Sequence, residues 1–286
     1  MAYLISQDYL KQIQNIQLTQ ILTNNPSVQS AAEMAAIAEV RSYLVQKYEI
    51  DKELGGMVSY NPQAQYYAES RVYLDAMDYS SDSNYLPGNT VVSNGQVYVC
   101  ITSTTGPFTP SAWSLLGGRW DLYYGAYPKP RFDLYTQYRA GDQVFYNGRI
   151  YKALQNSYNP QPDINFGTYE NIPKPNVFPG NPSYWQDMGS YSIPVGNNLN
   201  NPIYWTKGDN RNQQILMYAI DICLFHLHSR IAPNNIPQLR QNRYDAAKEW
   251  LRMAADGDIT ADIQRIQPKQ GNRIRFGGVI KQINSY

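Results

Sequence analysis

An Asn-Gly pair set between two apolar runs occurs twice in this chain, in near-identical surroundings. YLPGNTVVSNGQVYVC (85–100) returns as YRAGDQVFYNGRIYKA (138–153). Tyr85, Gly88, Val91, Asn94, Gly95 and Tyr98 recur as Tyr138, Gly141, Val144, Asn147, Gly148 and Tyr151, with identical spacing. Asn-Gly favours a two-residue type I′ turn, which needs positive φ at both central residues and thereby fixes the register of the flanking strands. Val91 then faces Tyr98 and Val92 faces Val97, while Val144 faces Tyr151 and Phe145 faces Ile150. An isolated hairpin is marginal, so each copy needs a further strand or a packed ring. PSAWSLLG (110–117) and PSYWQDMG (182–189) supply one after each copy, and NPIYWTKG (201–208) is a third echo. Trp113 and Trp185 would each close a small β-module.

The text on either side is helical. Ser6 is placed to cap a helix carrying Leu10, Ile13 and Ile16, which TNNPS (23–27) stops. An Ala-rich helix follows over about 29–49, with Ile37, Val40, Leu44 and Tyr48 on one face. QQILMYAIDICLFHLHSR (213–230) reads as a helix apolar on nearly every side, which neighbours must bury. The last helix starts after Pro237, ends at Gly257, and turns Tyr244, Ala247, Leu251 and Ala254 inward. Beyond it, residues 261–286 hold Arg265, Lys269, Arg273, Arg275 and Lys281 against Asp262 alone, with Pro268, Gly271 and Gly277-Gly278 and no sustained period. That composition predicts an extended arm.

The expected fold is therefore α+β: a helical bundle interrupted by two small β-rich modules, with an extended C-terminal arm. Its expected parts are a first helical part (1–58), β-module one (59–128), β-module two (129–208), a second helical part (209–260) and the arm (261–286).

A net charge of +1 argues against a protein whose whole surface grips nucleic acid or anionic lipid. Only 16% of residues are charged, against an ordinary share of about 25%, and Tyr alone reaches 26 residues. Amides, hydroxyls and rings of that abundance suit contact with proteins or sugars. The N-terminus lacks a basic leader followed by an apolar block, which predicts no signal peptide. ILMYAIDICLF (215–225) is too short to span a bilayer and contains Asp221. Cys100 and Cys223 fall in different blocks, so no disulfide framework is expected; a soluble chain in a reducing cytosol is.

Catalytic chemistry is not evident. His226 and His228, two residues apart on a helix, point about 200° away from each other, which suits packing better than metal ligation. No nucleophile, second acid or phosphate-cradling Gly loop accompanies Asp221. Buried in its helix, Asp221 needs a cationic partner, with Arg243 or Arg41 the natural choices. No metal and no cofactor is expected.

Two resemblances add to this reading. Tyr138, Gly141, Asp142, Val144, Tyr146, Gly148, Tyr151, Ala153 and Trp185 resemble the pattern of small chitin-binding modules (the type 5/12 carbohydrate-binding family). The first copy departs from it at Asn89, Ser93 and Cys100, and the second by a Pro-rich insertion (158–182). The resemblance makes Tyr151, Trp185 and Trp113 candidate glycan-binding residues. In the outer blocks DYL (8–10), AAIAEVRSYLVQKYEI (35–50), YAIDICLFHLHSRIAP (218–233) and RYDAAKEWLRMAADGDI (243–259) resemble, in order, the head-completion or head-to-tail adaptor proteins of tailed bacteriophages. That likeness covers roughly a third of the chain and lacks the family's short connection between the second and third helices. The amide- and Tyr-rich composition resembles phages of the crAss-like kind.

The adaptor resemblance implies a homo-oligomeric ring of about a dozen copies. Such a ring lies at the portal vertex of the virion and is assembled in the host cytoplasm. It joins head to tail, contacts the portal protein and a downstream tail or second ring protein, and extends the channel around packaged DNA without reading sequence. The arm residues Ile274, Arg275, Phe276, Val279, Ile280 and Lys281 would dock on the portal. The alternative is a glycan-binding surface or tail adhesin with tandem modules.

Overall fold

The computed structural model describes residues 2–22, 26–133, 136–156, 178–196, 199–231 and 235–266. The arm residues Ile274, Arg275, Phe276, Val279, Ile280 and Lys281 lie outside them. Two units emerge: residues 1–15 with 55–211, and residues 16–54 with 212–286.

The expected bundle is not what forms. The chain is mixed α/β, about 31% helical and 23% strand, with three sheets and six α-helices among the described residues. Two physical causes account for the difference. The first helix, expected to carry Leu10, Ile13 and Ile16 together, breaks after one turn: α1 (Ser6–Tyr9) and α2 (Asn15–Leu22) are separate, and Ile16 falls on α2, 72% exposed. Residues 1–15 accordingly belong with the β-rich unit rather than with the helices. In addition, four short strands far apart in sequence build a sheet that no local periodicity announces.

In the β-rich unit the strands are β1 (Met57–Ser59), β2 (Arg71–Tyr73), β3 (Met77–Asp78), β4 (Thr90–Ser93), β5 (Gln96–Cys100), β6 (Trp113–Gly118), β7 (Leu122–Gly125), β8 (Gln143–Tyr146), β9 (Arg149–Ala153), β10 (Trp185–Ser190) and β11 (Trp205–Lys207). Both Asn-Gly pairs turn with positive φ at each residue. The hairpin registers are those the turns dictate, Val91 opposite Tyr98 and Val144 opposite Tyr151. Sheet B runs β3-β4-β5-β6 and sheet C runs β8-β9-β10. The third, sheet A, runs β1-β2-β7-β11.

Sheet A is a third copy of the same module, split twice. β1 lies parallel to β2 with partners 14 residues apart, as β3 does to β4 and as Arg131 does to Phe145 beside β8. The antiparallel pair β2–β7 takes the place of a hairpin, but the stretch carrying sheet B stands where its turn would be. The link from β7 to β11 carries sheet C. Modules B and C are thus inserted at the two connections of module A.

Module B shares a core with module A. One face of sheet B packs Val91, Cys100 and Trp113 with their own aromatic neighbours. The other face sends Val92, Val97 and Leu116 into a cluster with Val72, Leu74, Tyr123 and Trp205 of module A. Module C keeps a core of its own, built from Tyr138, Val144, Tyr151, Ala153 and Trp185.

The helical unit consists of α2, α3 (Pro26–Leu44), α4 (Ile50–Glu53), α5 (Gln213–Ile231) and α6 (Gln238–Asp256). α3 buries Ala32, Ala36, Val40 and Leu44, a four-residue period whose small residues admit a close neighbour. That neighbour is α5, buried on nearly every side from Ile215 to Leu227. α6 packs against both through Ala247, Leu251 and Ala254. Gly257 closes α6 at φ 93°, its N–H donating to the Met253 carbonyl at 2.9 Å, the left-handed stop that glycine allows.

Candidate functional site

The three modules carry the same aromatic device. A pair of rings six residues apart stacks, and a tryptophan from the last strand meets both edge-on. In module A Tyr60 and Tyr66 lie 5.7 Å apart at 17°, with Trp205 at 71° to Tyr66 and 88° to Tyr60. Tyr79, Tyr85 and Trp113 repeat this in module B with 5.2 Å, 22°, 71° and 86°. Phe132, Tyr138 and Trp185 repeat it in module C with 5.7 Å, 19°, 73° and 87°. The second ring of each pair is fixed by its hydroxyl. Tyr66, Tyr85 and Tyr138 accept the backbone N–H of Asn61, Ser80 and Asp133 at 2.8, 2.9 and 2.7 Å.

This device decides what the candidate glycan residues do. Trp185 is 2% exposed, Trp113 6% and Tyr151 8%. Trp113 and Trp185 pack edge-on against their ring pairs, the geometry their quadrupoles prefer, while Tyr151 stands outside the device and is buried in the core of module C. These side chains close the modules.

Within the helical unit Asp221 lies 3.6 Å from Arg243, the ion pair expected between α5 and α6. Arg41, the other candidate, instead holds Asp51 at 2.6 Å. Burial pushes the Asp221 carboxyl above its ordinary 3.8, against the opposing pull of Arg243 and Arg240. Burial, then the Arg243 charge, likewise lowers Arg240, and burial lowers His228.

A second polar contact joins three helices. His226 Nε2 on α5 lies 3.0 Å from Glu39 Oε2 on α3, and the Tyr244 hydroxyl on α6 donates to Glu39 Oε1 at 3.1 Å. Tyr244 stacks on Phe225 with centroids 3.9 Å apart. Burial, followed by the Glu39 charge and hydrogen bond, pushes the Tyr244 phenol to about 12. His226 and His228 do not meet at a metal position: among the described residues no group of three or more His, Cys, Asp or Glu is placed to hold an ion. Both cysteines are buried thiols.

Sequence reasoning missed a heavily bonded ion cluster. Arg211, the last residue of the β-rich unit, is buried and uses all five N–H donors. Nη1 and Nη2 grip Asp8 at 2.7 and 2.8 Å; Nε and Nη2 grip Asp209 at 2.9 and 2.8 Å; Nη1 also donates to the Tyr3 carbonyl at 2.8 Å. Burial disfavours the cation, but the bonds from Asp209 and Asp8 outweigh it and raise the Arg211 pKa. A signal existed in DYL (8–10) and Asp209-Asn210-Arg211, but a separation of 203 residues hid their pairing.

An open groove of about 780 Å³ lies between the first loops of modules A and B. Its walls are Ser59–Asn61 and Gln63 on one side and stretches of 76–91 on the other. Asp78 is the single charged side chain in that lining, and Arg119 Nη1 sits 3.2 Å from it.

No family model, no curated protein and no solved structure matches the chain. Among the described residues no helix is long and apolar enough to cross a membrane.

Proposed function

We propose that this chain is a structural, non-enzymatic virion protein, one of about a dozen copies closing a ring at the portal vertex. The ring joins the phage head to the tail and lines the path of packaged DNA without sequence preference. The observation that carries the reading is the meeting of Glu39, His226 and Tyr244 at 3.0 and 3.1 Å. Each comes from a different one of the three longer segments that resemble the adaptor proteins. Residues scattered over more than 200 positions therefore form one polar junction, which suits a shared helical framework better than chance likeness of isolated helices.

In this reading the partners are further copies of the chain, the portal protein, and a downstream tail or second ring protein. Ile274, Arg275, Phe276, Val279, Ile280 and Lys281 of the arm dock on the portal. The alternative, a glycan-binding surface or tail adhesin, loses Trp113, Trp185 and Tyr151 as ring platforms and keeps support from the groove alone.

Negative-stain imaging and mass photometry of the full chain, alone and mixed with its portal, test the proposal. Closed rings of about a dozen subunits on the portal are expected. Removing residues 267–286 should abolish portal co-purification while leaving the helical circular dichroism unchanged. A protein that stays monomeric with portal present overturns the reading.

A further inference from the structure

We infer that the groove between the first loops of modules A and B is a binding site for a neutral oligosaccharide. The argument begins with the hydrogen-bonding state of its walls. The side chains of Gln63, Asn84 and Thr90 line it and make no hydrogen bond within the described residues. The neighbouring amides are otherwise committed: Asn61 Oδ1 accepts the Gln63 N–H at 2.9 Å, and Asn89 Oδ1 accepts the Leu86 N–H at 2.8 Å. Open amide and hydroxyl groups therefore cluster in one concavity, supplying donors and acceptors together.

Charge narrows the ligand class. A phosphate, a sulfate or a nucleic-acid backbone calls for cations. No Lys or Arg lines the groove, and its one carboxylate, Asp78, already faces Arg119. A polyhydroxyl ligand instead needs mixed donors and acceptors, a low net charge and an apolar surface for its ring hydrogens. Met77, 86% exposed on the edge strand β3, supplies that surface at the groove wall.

The walls are also preorganised. The Tyr85 hydroxyl is bonded to Ser80 on both its donor and acceptor sides. A Cβ at Gly88, where φ is +93°, would stand 2.6 Å from Gln63 Nε2, so glycine leaves room for that amide beside the module B wall. The site pairs a loop of module A with a loop of module B and so has no counterpart in module C. It does not depend on the ring assembly: a ring that binds no sugar and a monomer that does would separate the two ideas.

The test is a titration of the full chain, ¹⁵N-labelled at Asn and Gln side chains, with neutral and sulfated tetrasaccharides. Saturable shifts at the Gln63 and Asn84 amides with a neutral sugar are expected. Q63A with N84A should weaken binding about tenfold or more. Met77→Gln, on an exposed edge, serves as a second variant should the double variant misfold, and should also weaken binding. Equal binding of the sulfated sugar, shifts confined to other residues, or no saturable shift with any neutral sugar would overturn the inference.

Discussion

The guanidinium of Arg211 grips both oxygens of Asp8 at 2.7 and 2.8 Å across 203 positions of chain, with both groups buried. Asp8 also accepts the Ile5 N–H at 2.9 Å, so one carboxylate fixes the N-terminal segment twice. Removing one partner of a buried pair leaves an uncompensated charge in a poorly solvated place. Arg211→Met, which strands both Asp8 and Asp209, should cost about 3–5 kcal/mol, whereas Asp8→Ala leaves Arg211 paired with Asp209 and should cost less. Urea unfolding followed by tryptophan fluorescence measures this, since all the tryptophans but Trp250 lie in the β-rich unit.

The shared core of modules A and B, against the private core of module C, makes an ordered prediction. Each triad tryptophan replaced by Ala should cost about 3–5 kcal/mol locally. Trp185→Ala should strip amide-exchange protection from β8, β9 and β10 only. Trp205→Ala should strip it from sheets A and B together, because Val92, Val97 and Leu116 pack on the cluster that holds Trp205. Loss of protection in β2 and β7 on Trp185→Ala would refute separate cores.

The difference between these modules also explains what the sequence could show. Modules B and C were legible because Asn94-Gly95 and Asn147-Gly148 close their hairpins within two residues, and local turn chemistry writes itself into short text. Module A has the same registers, but its strand pair joins Arg71–Tyr73 to Leu122–Gly125 across an inserted module. No turn residue can announce that pairing, and strands of three or four residues are too short for periodicity. Its traces were Tyr60 and Tyr66 at the same spacing as Tyr79 and Tyr85, and the Trp205 echo. On the helices, the Asp221–Arg243 pair was legible because a carboxylate amid apolar residues requires a cation. Asp8 and Arg211 sat in polar text, where nothing distinguishes a buried charge from a solvated one.

Asp221 makes a pH prediction with a definite sign. Burial raises its folded pKa above the ordinary 3.8, so between those two values the folded state binds more protons than the unfolded one. Stability from this group is therefore greatest below 3.8, falls as pH rises toward the folded value, and is level above it. Asp221→Asn, which cannot titrate, should remove that slope from the helical unit. Since Arg243 is 37% exposed on its side chain, Asp221→Ala at neutral pH should cost only about 1–3 kcal/mol. Thermal melts of wild type and both variants across acid pH decide it.

The helical unit should fold without the β-rich unit. Its buried residues on α3, α5 and α6 pack on one another, and the cost of closing a connecting loop rises only logarithmically with its length. Residues 16–54 joined to 212–266 by a short Gly/Ser linker should give a cooperative helical melt. A chain without helical circular dichroism would show that α3 and α5 need more than each other.

Gly125 offers the sharpest test that module A is a strained copy of a simpler unit. In all three modules the same strand position exchanges backbone bonds with the loop before the hairpin. Gly125 bonds Glu69 and Ser70, Cys100 bonds Gly88 and Asn89, and Ala153 bonds Gly141 and Asp142, at 2.8–2.9 Å. Modules B and C thus accept a Cβ there. In module A a Cβ would stand 2.2 Å from the Tyr67 carbonyl oxygen and 3.0 Å from Ile193 Cδ1, and the first of these is backbone that cannot swing aside. Gly125→Ala should destabilise the β-rich unit by about 1–3 kcal/mol, as overpacking does. Ala153→Gly in module C, which also removes a buried core methyl, should cost about 1–2 kcal/mol. If Gly125→Ala costs less than about 0.5 kcal/mol, the loop of module A relaxes freely and the close approach of Tyr67 to β7 is no constraint on the fold.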